Sequence, residues 1–279
     1  MIKPAFSCLL TGLTVFAASQ ASAIIVHPAD DPPNGLSTPP ADVLGRWASN
    51  ASAVAIDPNY IITTRHQGSG VGANVTFGGT TYVAAEIFNL SGSVDARVVR
   101  IEALGGGAAN LSDFVSIYEG SSEVSSTLVI GGFGDGRGAN LDLSPPPGTD
   151  AYQWDGVRGT QRWGANEITA TGDDVNVFGS WVNDTLEAVF EAPGNGVSVE
   201  ATIADGDSGG GWFIDAGGGN WQVAALSQAV EFSEEARFGE TLFGVRLTNY
   251  AGEINAIIPE PSSLALLLAG GALLARRRR

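Results

Sequence analysis

The sequence predicts an all-β protein. Glycine and proline are plentiful, at 38 and 13 residues. Val, Ile, Thr and Phe fall in short runs bounded by turn residues, the pattern of strands. No segment carries a long apolar period of 3.6 residues, so no long amphipathic helix is expected. At 279 residues the chain has material for one large or two small domains with an ample core.

Taken in order, residues 1–23 have the three parts of a secretory signal. Lys3 gives the positive start, CLLTGLTVFAA the apolar middle, and Ala21-Ser22-Ala23 the small-residue cleavage site. The expected mature chain begins Ile24-Ile25-Val26. The single cysteine, Cys8, lies in this leader, so the mature chain holds no disulfide. Between 24 and 258 stand nine arginines, no lysine and 29 acidic residues, a formal charge of −20. Such a surface disfavours nucleic acid and anionic membranes as partners.

SAVAIDPNYIITTRHQGSG reads as a strand, an Asp-Pro-Asn turn and a second strand (Tyr60-Ile61-Ile62) running into Thr-Thr-Arg-His. It delivers His66 at the end of a rigid element, a suitable mounting for a general base. The other histidine, His27, precedes a Pro/Asp-rich loop. Two aspartates open alternating strands: Asp95 in DARVVRIE and Asp113 in DFVSIY. ATIADGDSGGGWFI then places Ser208 on a glycine turn, Gly206 to Gly211, just before an apolar strand. A hydroxyl becomes a useful nucleophile only with access, a base beside it and oxyanion donors, and the glycines let backbone N–H groups approach a substrate carbonyl.

These segments resemble the trypsin-like (chymotrypsin-fold) serine peptidases. Ser52 to His66 is similar to the strand pair that ends in that family's catalytic histidine, and GDSGGG to its nucleophile motif. Ile130-Gly131-Gly132-Phe133-Gly134 resembles the segment entering the second barrel. Phe243 to Tyr250 and Glu253-Ile254-Asn255 resemble the last strand and closing helix. The chain departs from the family at Thr64-Arg65, at Gln67 and at Gly211.

The resemblance implies two packed antiparallel six-stranded β-barrels, at about 40–125 and 126–247, with a short C-terminal helix. It further implies an endopeptidase whose triad is His66, Asp95 and Ser208, with N–H groups of Gly206 and Ser208 forming the oxyanion hole. Asp95 is favoured as the acid because it leaves room for a strand, a loop and another strand before Gly131; Asp113 is the alternative. Asp207 is expected to pair with the ammonium of Ile24, freed when the leader is removed. Thr202, Ser227 and Ala229 are the expected pocket residues. The implied partner is a protein or peptide substrate, and no cofactor or metal site is legible.

The C-terminus reads Pro259-Glu260-Pro261, then LALLLAGGALLA, then Arg276 to Arg279. The apolar run is short against the ~20 residues of a comfortable membrane span, and the arginines would hold the cytoplasmic side. The three parts resemble a bacterial PEP-CTERM sorting signal over 259–279, implying export to the cell envelope or medium, transient anchoring and processing by an exosortase. Two rivals are a catalytically silent trypsin-fold envelope protein and an esterase built on G-x-S-x-G, the latter disfavoured because His66 precedes Ser208.

Overall fold

The computed structural model describes residues 24–27, 35–67, 69–145, 148–177, 179–232 and 234–259. The expected leader and the sorting segment beyond Pro259 lie outside the described residues.

After β1 (Ile25–His27), six strands form the first barrel: β2 (Leu44–Trp47), β3 (Ala51–Asp57), β4 (Tyr60–Thr63), β5 (Asn74–Phe77), β6 (Thr80–Asn89) and β7 (Arg97–Ala103). They close antiparallel in the order β2-β3-β4-β7-β6-β5. Alternation explains why these strands are buried on both faces. On β3 the side chains of Ala51, Ala53 and Ala55 enter the barrel with Ile61, Val75, Phe77 and Val99. Val54 and Ile56, one step out of phase, join Ile62 and Val98 in a second cluster. That cluster also takes Phe213, Leu226 and Val245 from the other half of the chain, so it is the seam between the barrels.

The connecting segment carries β8 (Ser116–Ile117), followed by β9 (Thr127–Gly132), β10 (Arg137–Leu141), β11 (Ala151–Trp154), β12 (Arg162–Val177) and β13 (Trp181–Val189). Then come β14 (Glu200–Thr202), β15 (Gly211–Asp215), β16 (Trp221–Val230), β17 (Glu235–Arg237) and β18 (Thr241–Arg246). The second barrel closes as β12-β13-β18-β16-β15-β9, with β9 pairing back to β12. Leu128, Ile130, Ile168, Leu186 and Trp212 fill it. β8 falls within the stretch assigned to the first barrel from the sequence, yet it pairs with β16 of the second.

Outside the ring, β1 pairs with β14, and β10-β11-β17 form a small separate sheet. The helix α1 (Ala251–Ile257) buries Ala251 and Ile254, spaced to share one face, against the inter-barrel seam.

Candidate active site

His66 hangs from the end of β4. The turn is fastened below by Thr63, whose hydroxyl donates to the Ser52 carbonyl at 2.7 Å, and from the side by Asp95. The Asp95 carboxylate is fully buried and takes four donors. Its Oδ1 accepts the backbone N–H of Arg65 and of His66, each at 2.8 Å. Its Oδ2 stands 2.5 Å from His66 Nδ1 and accepts Gln228 Nε2 at 2.9 Å. An ionised carboxylate only accepts, so the network assigns the proton to His66 Nδ1. That leaves Nε2 with its lone pair toward Ser208 Oγ, 2.9 Å away. Asp113 is elsewhere, bonded to the Ser112 hydroxyl at the surface.

The second barrel reaches across to brace this acid. Asn183 Oδ1, buried on the hairpin of β12 and β13, accepts the Asp95 N–H at 2.7 Å. On the same hairpin the Trp181 ring lies 4.8 Å from the Arg65 guanidinium carbon, and Val182 donates to the Ser93 carbonyl.

Ser208 sits on the predicted glycine turn. Gly206 and Gly209 both adopt left-handed φ, +92° and +83°, where L side chains are strained. At Gly209 a Cβ would also stand 2.2 Å from Thr63 Oγ1. The turn is tied to β3 by one residue, Ser52. Its N–H donates to the Ser208 carbonyl at 2.9 Å. Its hydroxyl donates to the Gly206 carbonyl at 3.2 Å and accepts Phe133 N–H at 3.0 Å. Among the described residues no acceptor takes the N–H of Gly206 or of Ser208.

Asp207 points the opposite way, into the protein, and is wholly buried. Oδ1 accepts Gly134 N–H at 2.7 Å; Oδ2 accepts Ala204 N–H at 2.9 Å and Ile24 N at 3.4 Å. Burial pushes its carboxyl up to about 7, against the pull of those N–H donors. The glycines of IGGFG make room for it: a Cβ on Gly132 would lie 2.0 Å from Asp207 Oδ1.

A cavity of about 680 Å³ opens beside His66 and Ser208. One wall is Ile203, Ala204 and Asp205, the residues leading into the turn; the other is Gln228, Ala229 and Val230, the end of β16. Ala229 is therefore where the sequence placed it, but Thr202 and Ser227 are not among the lining residues. Thr202 is buried and donates to Glu240 Oε1 at 2.9 Å. Ser227 Oγ accepts Trp212 Nε1 at 3.0 Å beneath the sheet. For Ser227 the reason is a bulge in β16, whose register against β18 slips between Ser227 and Ala229. The extra residue re-aims the side chains, so Gln228 faces Asp95 while Ser227 meets Trp212 instead of the cavity. Facing the cleft, Arg158 bridges Asp135 (Nε to Oδ1, 2.9 Å) and Asp205 (Nη2 to Oδ2, 2.5 Å).

Ser52, Asn183, Gln228 and Arg158 were missed by sequence reasoning. Only Ser52 leaves a trace there, as a polar residue inside the apolar run ASAVAI.

A scan against protein-family models found no match, and none of the curated proteins matches in sequence. Among solved structures, one described as the crystal structure of the Rv3671c protease in an inactive form aligns with a TM-score of 0.52. The alignment covers 83% of this chain and 100% of that one, at 16% identity. The fold is trypsin-like. At that identity the trypsin-like fold is what the likeness establishes, and the chemistry is argued from this chain's own residues.

Proposed function

We propose that the chain is an exported serine endopeptidase acting through an acyl-enzyme. The observation that carries this reading is the continuous relay Asp95–His66–Ser208, at 2.5 and 2.9 Å, on the wall of an open cavity. In this reading His66 Nε2 takes the Ser208 proton as Oγ attacks the scissile carbonyl, then returns it to the leaving amine. Asp95 holds the imidazole tautomer and stabilises the imidazolium. The N–H groups of Gly206 and Ser208 receive the oxyanion, a task in which each donor contributes about 2.7–4 kcal/mol of transition-state stabilisation. Toward the cleft, the β15 ladder on β16 ends at Leu226, so Gln228 to Val230 present an edge along which an extended substrate adds as a strand.

We also propose that removal of the leader activates the enzyme, with the Ile24 ammonium pairing with Asp207. Two observations support this. Ile24 N is already beside Asp207 Oδ2. In addition, Ile24, a β-branched residue, is held at φ +54°, a strain of order 1–3 kcal/mol that exists only while a peptide bond precedes it. Cleavage removes the strain and supplies a buried countercharge for Asp207. The C-terminal segment is proposed to sort the protein to the envelope through an exosortase, with transient membrane anchoring.

The test is fluorophosphonate labelling of the purified 24–258 chain. The reading expects labelling of wild type, lost in Ser208→Ala and His66→Ala. No labelling of a folded wild type would overturn it in favour of a silent envelope protein.

A further inference from the structure

We infer that the cavity beside Ser208 is a subsite for a large apolar side chain, Leu, Met or Phe, on the residue that contributes the scissile carbonyl. This rests on the peptidase reading above and names its substrate class. A substrate strand laid along Gln228 to Val230 brings its carbonyl carbon to Ser208 Oγ. The side chain of that same residue then falls between the two walls. Each wall carries two apolar residues beside one polar one. Ile203 and Ala204 are almost fully buried on one side, and Ala229 and Val230 face them from the other. Phe232 and Trp154 continue the lining outward, the latter from the β10-β11-β17 sheet.

The charges around the cavity do not select a cation. Asp135 and Asp205 share Arg158 and are spoken for. Glu234 is exposed at the rim, where solvent screens it. His66 belongs to the relay. Thr202, the residue before Ile203, is turned away from the cavity and holds Glu240, whose second oxygen is buried and unpartnered. Burial pushes the Glu240 carboxyl up to about 8, so near neutrality this acid is largely uncharged. With small residues at Ala204 and Ala229 facing each other across the cavity, the fit is to bulk rather than to charge.

The experiment uses the 24–258 chain and a series of otherwise identical peptide amides bearing Gly, Ala, Leu, Phe, Arg or Glu before the scissile bond. The expected result is kcat/KM highest for Leu or Phe, by roughly 100-fold over Gly, in the range that apolar pockets achieve. In Ala229→Phe, which narrows the space between the walls, the Phe-to-Ala ratio of kcat/KM should fall about ten-fold or more. Fluorophosphonate labelling runs alongside. A chain that labels but cleaves the Arg or Glu peptide best, or all six equally, overturns the subsite and leaves the peptidase reading intact. A folded chain that neither labels nor cleaves overturns both.

Discussion

The two barrels contribute to the site in opposite ways. The first supplies His66 and Asp95 from loops whose geometry is set by permanent bonds: two backbone N–H groups and two side chains converge on one buried carboxylate. The second supplies the serine turn, its N–H donors and the cavity. It hangs them on Asp207, a buried acid beside Ile24 N that, in the proposed activation, gains the Ile24 ammonium when the leader is removed. On the proposed reading the acid–base pair is built in, whereas the electrophilic half is conditional. Changes in the first barrel should lower the rate under all conditions; changes in the second should act through processing and pH.

The largest effect tests the built-in half. Ser208→Ala or His66→Ala should lower kcat by about a million-fold, as triad losses do. Asp95→Asn should cost about 10⁴ for a reason visible here. The asparagine oxygen is claimed by the Arg65 and His66 N–H groups, so its NH₂ faces His66 Nδ1 and forces the wrong tautomer. Asp113→Asn should leave kcat unchanged. Steady-state kinetics on one peptide amide checks all four, and an Asp113 effect as large as that of Asp95 would break the assignment.

The conditional half is tested by a chain carrying one alanine ahead of Ile24. Without the ammonium, Asp207 does not hold the Gly206 N–H in place, and kcat should fall about 10²–10³, the worth of one oxyanion donor. In the chain that starts at Ile24, activity should also fall in alkali, as the amine, ordinarily titrating near 8 and raised by its pairing, loses its proton. The extended chain should respond with the opposite logic. There the folded pKa of Asp207 is raised to about 7 by burial. The native state keeps a proton that the unfolded chain releases near pH 4, so stability drains away as pH rises from about 4 through 7. Chemical denaturation of both chains at pH 5 and 8 reads this directly. Equal pH responses would remove Ile24 from the mechanism.

This contrast also marks what was legible in the sequence. Period-2 runs ending in a histidine and a serine framed by glycines are local signals that point to His66 and Ser208. Strand-opening aspartates leave Asp95 and Asp113 level, and only the family resemblance, through its spacing to Gly131, favours Asp95. The brace from Asn183, the tie from Ser52 and the clamp from Arg158 depend on pairings between residues far apart in the chain, which no local pattern encodes. The misplacement of Ser227 has a sharper cause. A one-residue bulge exchanges which side chain faces the cleft, and nothing in ALSQAV announces it.

A smaller effect should come from the strut that joins the halves. Asn183→Ala strands the buried Asp95 N–H without its acceptor, a loss of about 1–3 kcal/mol in stability, and should lower kcat about ten-fold with KM little changed. Asn183→Asp keeps an acceptor there and should recover most of the rate. Its added negative charge favours the His66 imidazolium, so the acid limb of kcat/KM should move to higher pH. A variant that merely lost stability would show no such displacement. An unmoved acid limb in Asn183→Asp would reduce the hairpin to scaffolding.

The smallest effect separates the cavity from what lies behind it. Because the Glu240 pKa is raised by burial to about 8, the wild type should lose stability as pH rises from about 4.3 through 8, the native state holding a proton that the unfolded chain gives up. Glu240→Gln keeps an oxygen for the Thr202 hydroxyl and has no proton to lose. It should therefore match wild type near pH 4 and melt above it at pH 9, the gap widening as pH rises. The order of preference among the peptide amides should stay the same, since Glu240 does not line the cavity. Were the substitution instead to abolish cleavage after arginine while sparing leucine, the buried acid would be the true floor of the pocket, and the second barrel would be selecting charge through a residue that the fold otherwise keeps neutral.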